Sequence, residues 1–451
     1  MRRITYLAAL LLLLTGCISG GLTPTSPPSS PTAGEEEPTA HPPSPTATAD
    51  QEQVPPTPTA IPTTVAPTSP PPTLTPTPRG TAVGTPLPNL IPGRELRVTY
   101  VQMTGQNRGW AIGTQDGRGE YVLATTDGGT TWADVSPPVV QAEDATRLEA
   151  FGAFQDSDTA WVIYTDDGPP PVGPLAVWKT TDGGQNWQPS QYLPLTGEEP
   201  YFQPEGFSFV DSSTGWLLAH VEAGAGHDFV ELFRTEDGGQ SWERIDDPFR
   251  GQLSGSTNTG IAFGSDQWGW VTKDNPQLIP GGAFLFQSLD GGENWEAIFL
   301  PPPQDLDWEE ILVKCKTHQP AFTSPQTGLV AVECLDPDRS SSAGNQKLTY
   351  VFATSDRGEN WQYTELSSVI SDLEFADLQT GYAAGRDIFR TEDGGETWQK
   401  VKTVTWQGQL SFVNPTLGWA VARKGDDLSL VTTRNGAETW QLLDTLAARG
   451  Q

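Results

Sequence analysis

The sequence predicts an all-β fold, and three observations lead to this prediction. A short phrase, such as TTDGGTTW at Thr125–Trp132, recurs seven times along the chain. A second signature of Gly-aromatic and an apolar run, such as STGWLLA around Trp216, lies upstream of most copies, and short alternating apolar stretches precede it. A period of roughly 40–65 residues with one hairpin signal per repeat is typical of radial or stacked β architectures. Four antiparallel strands repeated seven times predict a seven-bladed β-propeller, whose closed ring leaves only short protected edges.

The first 17 residues have the pattern of an export signal. Arg2 and Arg3 precede the apolar run Leu7–Leu14, which is too short to span a bilayer. The small residues before Cys17 resemble a bacterial lipobox, in which the cysteine is lipidated and becomes the new N-terminus. Residues 1–17 are therefore predicted to be a lipoprotein signal, with an ordinary cleaved signal as the alternative. The expected location is extracytoplasmic, with the lipid anchored in the cell membrane or at the cell surface.

Residues 18–93 are predicted to be a disordered linker. They are rich in Pro, Thr, Ser and Ala and nearly devoid of aromatic residues, so they cannot bury enough apolar surface to offset chain entropy. At about 3 Å per residue the stretched segment would reach on the order of 200 Å, which suits a stalk.

Residues 94–446 are predicted to form the propeller, and the box residues have structural roles in it. Gly follows the acid because a tight hairpin needs positive φ, and the carboxylate can accept backbone N–H groups of its own turn. The closing Trp is expected to pack between blades. Because each acid sits in its own blade, the acids cannot converge on a metal. The third and eighth residues of the seven boxes are Asp127 and Trp132, Asp182 and Trp187, Asp237 and Trp242, Asp290 and Trp295, Asp356 and Trp361, Asp393 and Trp398, and Asn435 and Trp440.

The S/T-x-D-x-G-x-x-W phrase resembles the Asp-box, or BNR, repeat of sialidases, some other glycosidases and sortilin-type receptors. The fuller unit, from TGW to the closing Trp, more closely resembles the photosystem II assembly and stability factor family. This resemblance covers roughly Leu96 to Leu443. It implies a non-catalytic, exported and often lipid-anchored propeller that holds a membrane-protein intermediate. Members of that family carry a basic patch, whereas the arginines of this chain are few and scattered.

The charge balance and the cysteines narrow the function further. A formal net charge of −30 argues against nucleic acid as a partner. Cys315 and Cys334 flank the A–B hairpin of the fifth blade almost symmetrically, and opposed strand residues are close enough to bridge, so a disulfide is predicted. Zinc bound by Cys315, His318 and Cys334 is the alternative, although it lacks a fourth ligand. No cofactor and no metal are expected.

The predicted recognition surface is the face with the B–C loops and the D–A crossings between blades. These connections are long and varied in the earlier blades, and insertions gathered on one face mark a binding surface. A protein or glycan partner is expected there. The candidate contacts are aromatic residues that the blade pattern does not use, namely Tyr192, Tyr201, Phe202, Phe249, Trp308 and Trp406.

An enzyme is the alternative, and no catalytic residue is assigned. A sialidase site needs clustered arginines with a Tyr–Glu pair, and the expected Arg-Ile-Pro-like segment is absent from the sequence. Two carboxylates of a glycoside hydrolase could lie among Asp305, Asp307, Glu309 and Glu310. The expected function is therefore a lipid-anchored, non-enzymatic binding or assembly scaffold, with a sialidase-like or β-glucan-cleaving Asp-box hydrolase as the alternative.

Overall fold

The computed structural model describes residues 85–117, 119–141, 147–166, 173–197, 199–224, 227–248, 251–255, 257–274, 285–303, 315–341 and 344–448. All of them belong to the unit Thr77–Gln451. The predicted signal with Cys17, the linker up to residue 84, and the candidates Phe249 and Trp308 lie outside the described residues. The described part consists of strands and turns, and within it no helix is long and apolar enough to cross a membrane.

Seven antiparallel sheets follow one another along the chain, so the predicted seven-bladed propeller is confirmed. In each blade the strands A to D run in chain order from the innermost to the outermost position. Strands A to D are Arg97–Met103, Gly109–Thr114, Tyr121–Thr125 and Thr131–Asp134 in blade 1; Leu148–Phe154, Ala160–Asp166, Val177–Thr180 and Gln188–Pro189 in blade 2; Gln203–Phe209, Gly215–Gly224, His227–Thr235 and Glu243–Asp246 in blade 3; and Asn258–Phe263, Gly269–Lys273, Leu285–Ser288 and Glu296–Ile298 in blade 4.

The last three blades repeat the arrangement, with an interrupted inner strand in blade 5. Their strands are Cys315–Thr317 with Ala321–Phe322, Gly328–Ser341, Gly344–Thr354 and Gln362–Leu366 in blade 5; Ile370–Phe375, Gly381–Gly385, Asp387–Thr391 and Gln399–Thr403 in blade 6; and Gln407–Phe412, Gly418–Lys424, Asp427–Thr433 and Gln441–Leu443 in blade 7.

The box is a self-bonded turn between strands C and D. In blade 6 the hydroxyl of Thr391 donates to Asp393 Oδ1 at 2.7 Å and accepts the N–H of Gly395. Asp393 Oδ1 also accepts the backbone N–H of Thr397, which draws the turn closed. The worn seventh box keeps these bonds with Asn435, and Ala437 adopts the positive φ of 71° that glycine adopts elsewhere. The box therefore acts as a structural turn.

In several blades, an aromatic residue of strand B contacts the next blade. Trp216 of blade 3 stacks on Phe263 of blade 4, with ring centroids 3.6 Å apart. Its indole Nε1 also donates to the carbonyl of Gly291 in the box of blade 4, at 2.8 Å. The Gly-aromatic signature and the box therefore interlock between successive blades. The other strand B residues that donate to a backbone carbonyl of the next blade are Trp110, Trp161, Tyr382 and Trp419.

Both ends of the described chain attach to blade 1. Residues Leu446–Ala447 form a fifth strand that pairs in parallel with strand D of this blade. The backbone N–H of Leu96 donates to Thr445, and that of Ala447 donates to Arg94. The C-terminal segment therefore joins the last blade to the first and closes the ring.

Residues 85–93, which belong to the predicted linker, include a strand and apolar side chains that contact blade 1. Thr85–Pro86 pairs with Val140–Gln141, and the Tyr121 hydroxyl donates to the carbonyl of Pro88. Leu87 and Leu90 pack against the core of blade 1. These two leucines give the end of the proline-rich segment apolar surface to bury against blade 1.

Cys315 and Cys334 are joined as a disulfide between strands A and B of blade 5. The two residues are directly opposite one another in the strand register. Both are buried within the core shared by blades 4 and 5. The bridge holds the first part of the interrupted inner strand against strand B.

We expect Trp216→Phe to lower the free energy of unfolding by about 1–3 kcal/mol, because the buried carbonyl of Gly291 loses its donor. Trp216→Ala also removes the stack, and its loss should reach about 3–5 kcal/mol. The matched control is Trp242→Phe, because the Nε1 of Trp242 has no hydrogen-bond partner. Denaturant unfolding measures all three variants. Equal losses for Trp216→Phe and Trp242→Phe would contradict the inter-blade bond.

Candidate functional site

We call the face with the B–C connections and the D–A crossings the long-loop face, and the opposite face the short-turn face. The sequence predicts loops at two B–C connections of the long-loop face, and both predictions are wrong. Residues 220–228 and 336–346 belong mainly to long hairpins formed by strands B and C of blades 3 and 5. A hairpin pairs the backbone N–H and C=O groups that an irregular loop would leave to other partners.

The crossing between blades 2 and 3 carries three of the predicted contact residues. Tyr192 is 53% exposed and Tyr201 is 36% exposed, so both rings are available at the surface. Phe202 is only 6% exposed and packs near Phe233, with ring centroids 6.2 Å apart. The binding prediction for Phe202 is corrected accordingly: its side chain belongs to the core between blades 2 and 3.

Trp406 lies on a different crossing, between blades 6 and 7. It is partly buried and meets Trp440 edge-on, with ring centroids 5.5 Å apart. Of the predicted contacts within the described residues, the structure therefore brings only Tyr192 and Tyr201 to one exposed crossing.

A polar cluster lies beside this crossing, at the long-loop ends of the inner strands of blades 3 to 5. We call it the blade 3–5 cluster, and its members are Glu205, His220, Asp228, Asp274 and Glu333. His220 Nδ1 lies 2.8 Å from Asp228 Oδ1, and His220 Nε2 lies 3.2 Å from Glu205 Oε2. The imidazole thus connects the three inner strands of blade 3 through their side chains.

Asp228 also fixes the crossing from blade 3 to blade 4. Its Oδ2 accepts the backbone N–H of Asn258 at 3.0 Å. The backbones of Asp228 and Gly255 exchange two hydrogen bonds. The Nζ of Lys273, buried in blade 4, donates to the carbonyl of Leu253 on the same crossing. The described part of the crossing is therefore held in place at several points.

The second half of the cluster belongs to blades 4 and 5. Asp274 Oδ1 accepts the backbone N–H of Thr317 at 2.7 Å, which links the two blades. Glu333 is buried and receives Lys347 Nζ at 2.7 Å and Lys316 Nζ at 3.4 Å. Two lysines thus neutralise this carboxylate.

Burial and charge shift the pKa values within the cluster. Burial opposes charging of His220, but the hydrogen bonds and charges of Asp228 and Glu205 outweigh it and raise its pKa to about 9. Burial raises the pKa of Asp274 to about 6, and the negative charges of Glu333 and Glu205 add to this, against the Thr317 N–H and Lys316. At neutral pH His220 is therefore a cation, and Asp274 is more easily protonated than an ordinary aspartate.

The sequence does not predict Glu205, Asp274 or Glu333 as site residues, although it contains a signal for Asp274 and Glu333. Counted from its Gly (Ala in blade 2), the sixth residue of each signature lies within strand B, at its last residue or just beyond it. When the seven repeats are aligned at this position, blades 3, 4 and 5 have a histidine and two acids there in succession. The seven residues are Thr114, Thr165, His220, Asp274, Glu333, Arg386 and Arg423.

His220, Asp228 and Glu333 are buried, so Glu205 and Asp274, which are partly exposed, are the members of the cluster that a partner can reach. Among the described residues, no group of three or more His, Cys, Asp or Glu side chains has an arrangement that could hold a metal ion. Arg147 pairs with Glu120 of blade 1, Arg234 with Glu236 of blade 3 and Arg390 with Glu392 of blade 6, so these three arginines are separate from one another.

Comparisons with known proteins find only distant similarity. No family model matches the chain. A xyloglucanase from Paenibacillus sp is 25% identical over 127 residues, which are 28% of this chain and 12% of the enzyme. The chain thus spans only a small part of that relative.

Two types of solved propeller are similar in structure. YCF48 from Cyanidioschyzon merolae is 18% identical, with a TM-score of 0.43 over 78% of this chain and 98% of that chain. YCF48 bound to a D1 peptide gives a TM-score of 0.47 at the same identity and coverage. An ancestral GH74 enzyme is 14% identical, with a TM-score of 0.48 over 80% of this chain and 48% of the enzyme. At this level of similarity the comparisons assign no activity.

We expect the contribution of His220 to stability to be fully present below about pH 6.5 and to be lost as the pH rises through about 9. The reason is that the pKa of His220 is higher in the folded chain than in the unfolded one, so the protonated form favours folding. His220→Gln should remove this contribution, which is on the order of 2–3 kcal/mol at pH 6.

Denaturant unfolding of the wild type and His220→Gln between pH 6 and pH 10 measures the effect. The difference between the two proteins isolates this histidine from other groups that titrate in the same range, such as Lys273, whose pKa burial lowers to about 8. If the difference in the free energy of unfolding between the two proteins does not shrink between pH 7 and pH 10, stabilisation by protonated His220 is ruled out.

Proposed function

We propose that this chain is a non-catalytic binding module that holds a protein partner on the long-loop face of blades 2 to 5. Lipid at Cys17 anchors it outside the cytoplasm, and the proline-rich segment acts as its stalk. The partner contacts Tyr192 and Tyr201, and the blade 3–5 cluster supplies the charged groups next to them. The observation that carries this proposal is the pairing of two exposed tyrosines with a fixed polar cluster.

The exposed tyrosines belong to a crossing whose backbone is held in place. The N–H of Gln191 donates to Gln240 in the box of blade 3, and that of Leu193 donates to Leu175. Burial raises the pKa of Tyr201, and the carboxylates of Asp228 and Glu222 raise it further, so negative charge lies close to its hydroxyl. Rigid tyrosines beside charged groups are typical of protein interfaces, because they bury a large area at a small cost in conformational entropy.

The bonding within the cluster favours binding over catalysis. Asp228 accepts from His220 and from Asn258, and Glu333 is neutralised by two lysines. Carboxylates held in this way stabilise the blades and present a preorganised surface. Preorganisation lowers the entropic cost of association.

A glycoside hydrolase is the second candidate, and one observation favours it. Asp274 has a pKa of about 6, and the charge of Glu205 contributes to raising it. A general acid in this class of enzyme needs a carboxyl group with a raised pKa near a second carboxylate. In this alternative Asp274 protonates the leaving group and Glu205 acts as its partner.

We expect the double variant Tyr192→Ala with Tyr201→Ala to bind its protein partner at least tenfold more weakly. Removal of two interface tyrosines costs about 1.4 kcal/mol or more of binding free energy, which is a factor of ten. The measurement is quantitative crosslinking of the full lipidated chain in its own membranes. Leu442→Ala is the matched control, because Leu442 is 67% exposed on blade 7. If the control and the double variant capture the same partner equally, the proposed surface is wrong.

We expect the purified chain to leave xyloglucan, mixed-linkage β-glucan and fluorogenic sialosides intact. Reducing-sugar and fluorescence assays between pH 4 and pH 7 cover the range in which Asp274 titrates. Turnover that Asp274→Asn abolishes while the fold is retained would establish the hydrolase instead. Circular dichroism of the variant verifies that the fold is retained.

A further inference from the structure

The residue directly before each box occupies the contact between one blade and the next on the short-turn face. In blade 2 this residue is Lys179, whose Nζ lies 5.1 Å from the centroid of the Trp161 ring and donates to the carbonyl of Ser212 in blade 3. In blade 3 it is Arg234, whose guanidinium lies 5.8 Å from the Trp216 ring centroid. A cation over the indole of strand B thus fills these two contacts.

Blade 6 has a cation at the same place, and blade 1 has one nearby. Arg390 precedes the sixth box, and its charge acts on the hydroxyl of Tyr382, the strand B aromatic of that blade. Blade 1 has Ala124 at this place, but Arg108 reaches Asp158 of blade 2 at 3.7 Å instead. The contacts between several pairs of blades therefore contain a basic side chain supplied by the chain itself.

The contact between blades 5 and 6 departs from this pattern. Ala353 stands at the place before the box, and Leu329 replaces the strand B aromatic. A cleft of about 290 Å³ lies between the two blades, at the side chain of Ala353. Ala353 lines the cleft, as do the turns of both blades.

The lining of this cleft has the chemistry that a basic side chain requires. It contains the carboxylates of Asp356, Asp393 and Glu396, and no lysine or arginine is among its described residues. Hydrogen bonds from Asn360 lower the pKa of Asp356, and hydrogen bonds from Thr397 outweigh burial and lower that of Asp393, so both are charged at neutral pH. Leu378 is 64% exposed at the same cleft and offers apolar surface to the methylene groups of a long side chain.

We propose that the cleft between blades 5 and 6 is a binding site for a lysine or arginine side chain of another polypeptide. The bound cation takes the place that Lys179 and Arg234 fill from within the chain in blades 2 and 3. The site lies on the short-turn face, so it is separate from the proposed surface on the long-loop face. A partner could therefore occupy both faces.

The test uses the full chain and the peptide acetyl-Gly-Arg-Gly-amide as a probe, with the citrulline peptide as its neutral counterpart. We expect the arginine peptide to bind at least tenfold more tightly than the citrulline peptide, measured by titration of backbone amide chemical shifts. The shifts should fall on the box turns of blades 5 and 6. Equal binding of both peptides, or shifts confined to another part of the chain, would overturn the proposal.

Ala353→Lys should fill the cleft from within the chain and weaken binding of the arginine peptide at least tenfold. Ala124→Lys is the matched control, since it adds the same side chain at the same repeat position in blade 1, and binding should not change. Glu396→Gln, an exposed substitution that leaves the turn intact, should weaken binding about threefold or more through loss of one charge. Unchanged binding in both Ala353→Lys and Glu396→Gln would refute the site.

Discussion

The ring depends on one repeated contact, in which an aromatic residue of strand B stacks on the next blade and donates to one of its backbone carbonyls. The contact between Trp216, Phe263 and the carbonyl of Gly291 combines both parts. It needs the box, because the box turn places that carbonyl over the neighbouring blade. The box in turn needs its acid and its positive φ values to stay closed. A substitution in either signature therefore acts on two blades at once.

We expect binding sites where a blade departs from the repeated sequence pattern. Blade 5 has Leu329 in place of the strand B aromatic and Ala353 in a place that is basic in blades 2, 3 and 6, and the cleft that Ala353 lines is open to solvent. The residue type at the sixth place of the Gly-aromatic signature varies from blade to blade. In blades 3 to 5 this variation produces His220, Asp274 and Glu333.

The sequence predicted the fold because its strongest signals are local. A turn that bonds to its own side chains, as Asp393 does, has the same sequence pattern in every blade, and counting the copies gives the number of blades. The cluster around His220 was missed because its members are brought together by strands that are distant in sequence, such as those of Glu205 and Asp274. The sequence predicts loops where the long hairpins lie, because strand pairing beyond the core leaves no apolar alternation. It does not predict the burial of Phe202, because an isolated aromatic residue in a crossing does not reveal which way its side chain points.

The attachment of both chain ends to blade 1 has a mechanical consequence. A pull on the polypeptide before residue 85 reaches the pair formed by Thr85–Pro86 and Val140–Gln141, and then the backbone bonds of Arg94 and Leu96 to the C-terminal segment. That segment is itself paired with Thr131 and Trp132. Tension is thereby shared among several hydrogen bonds at the seam of the ring, which is the part that must open before any blade can be drawn out.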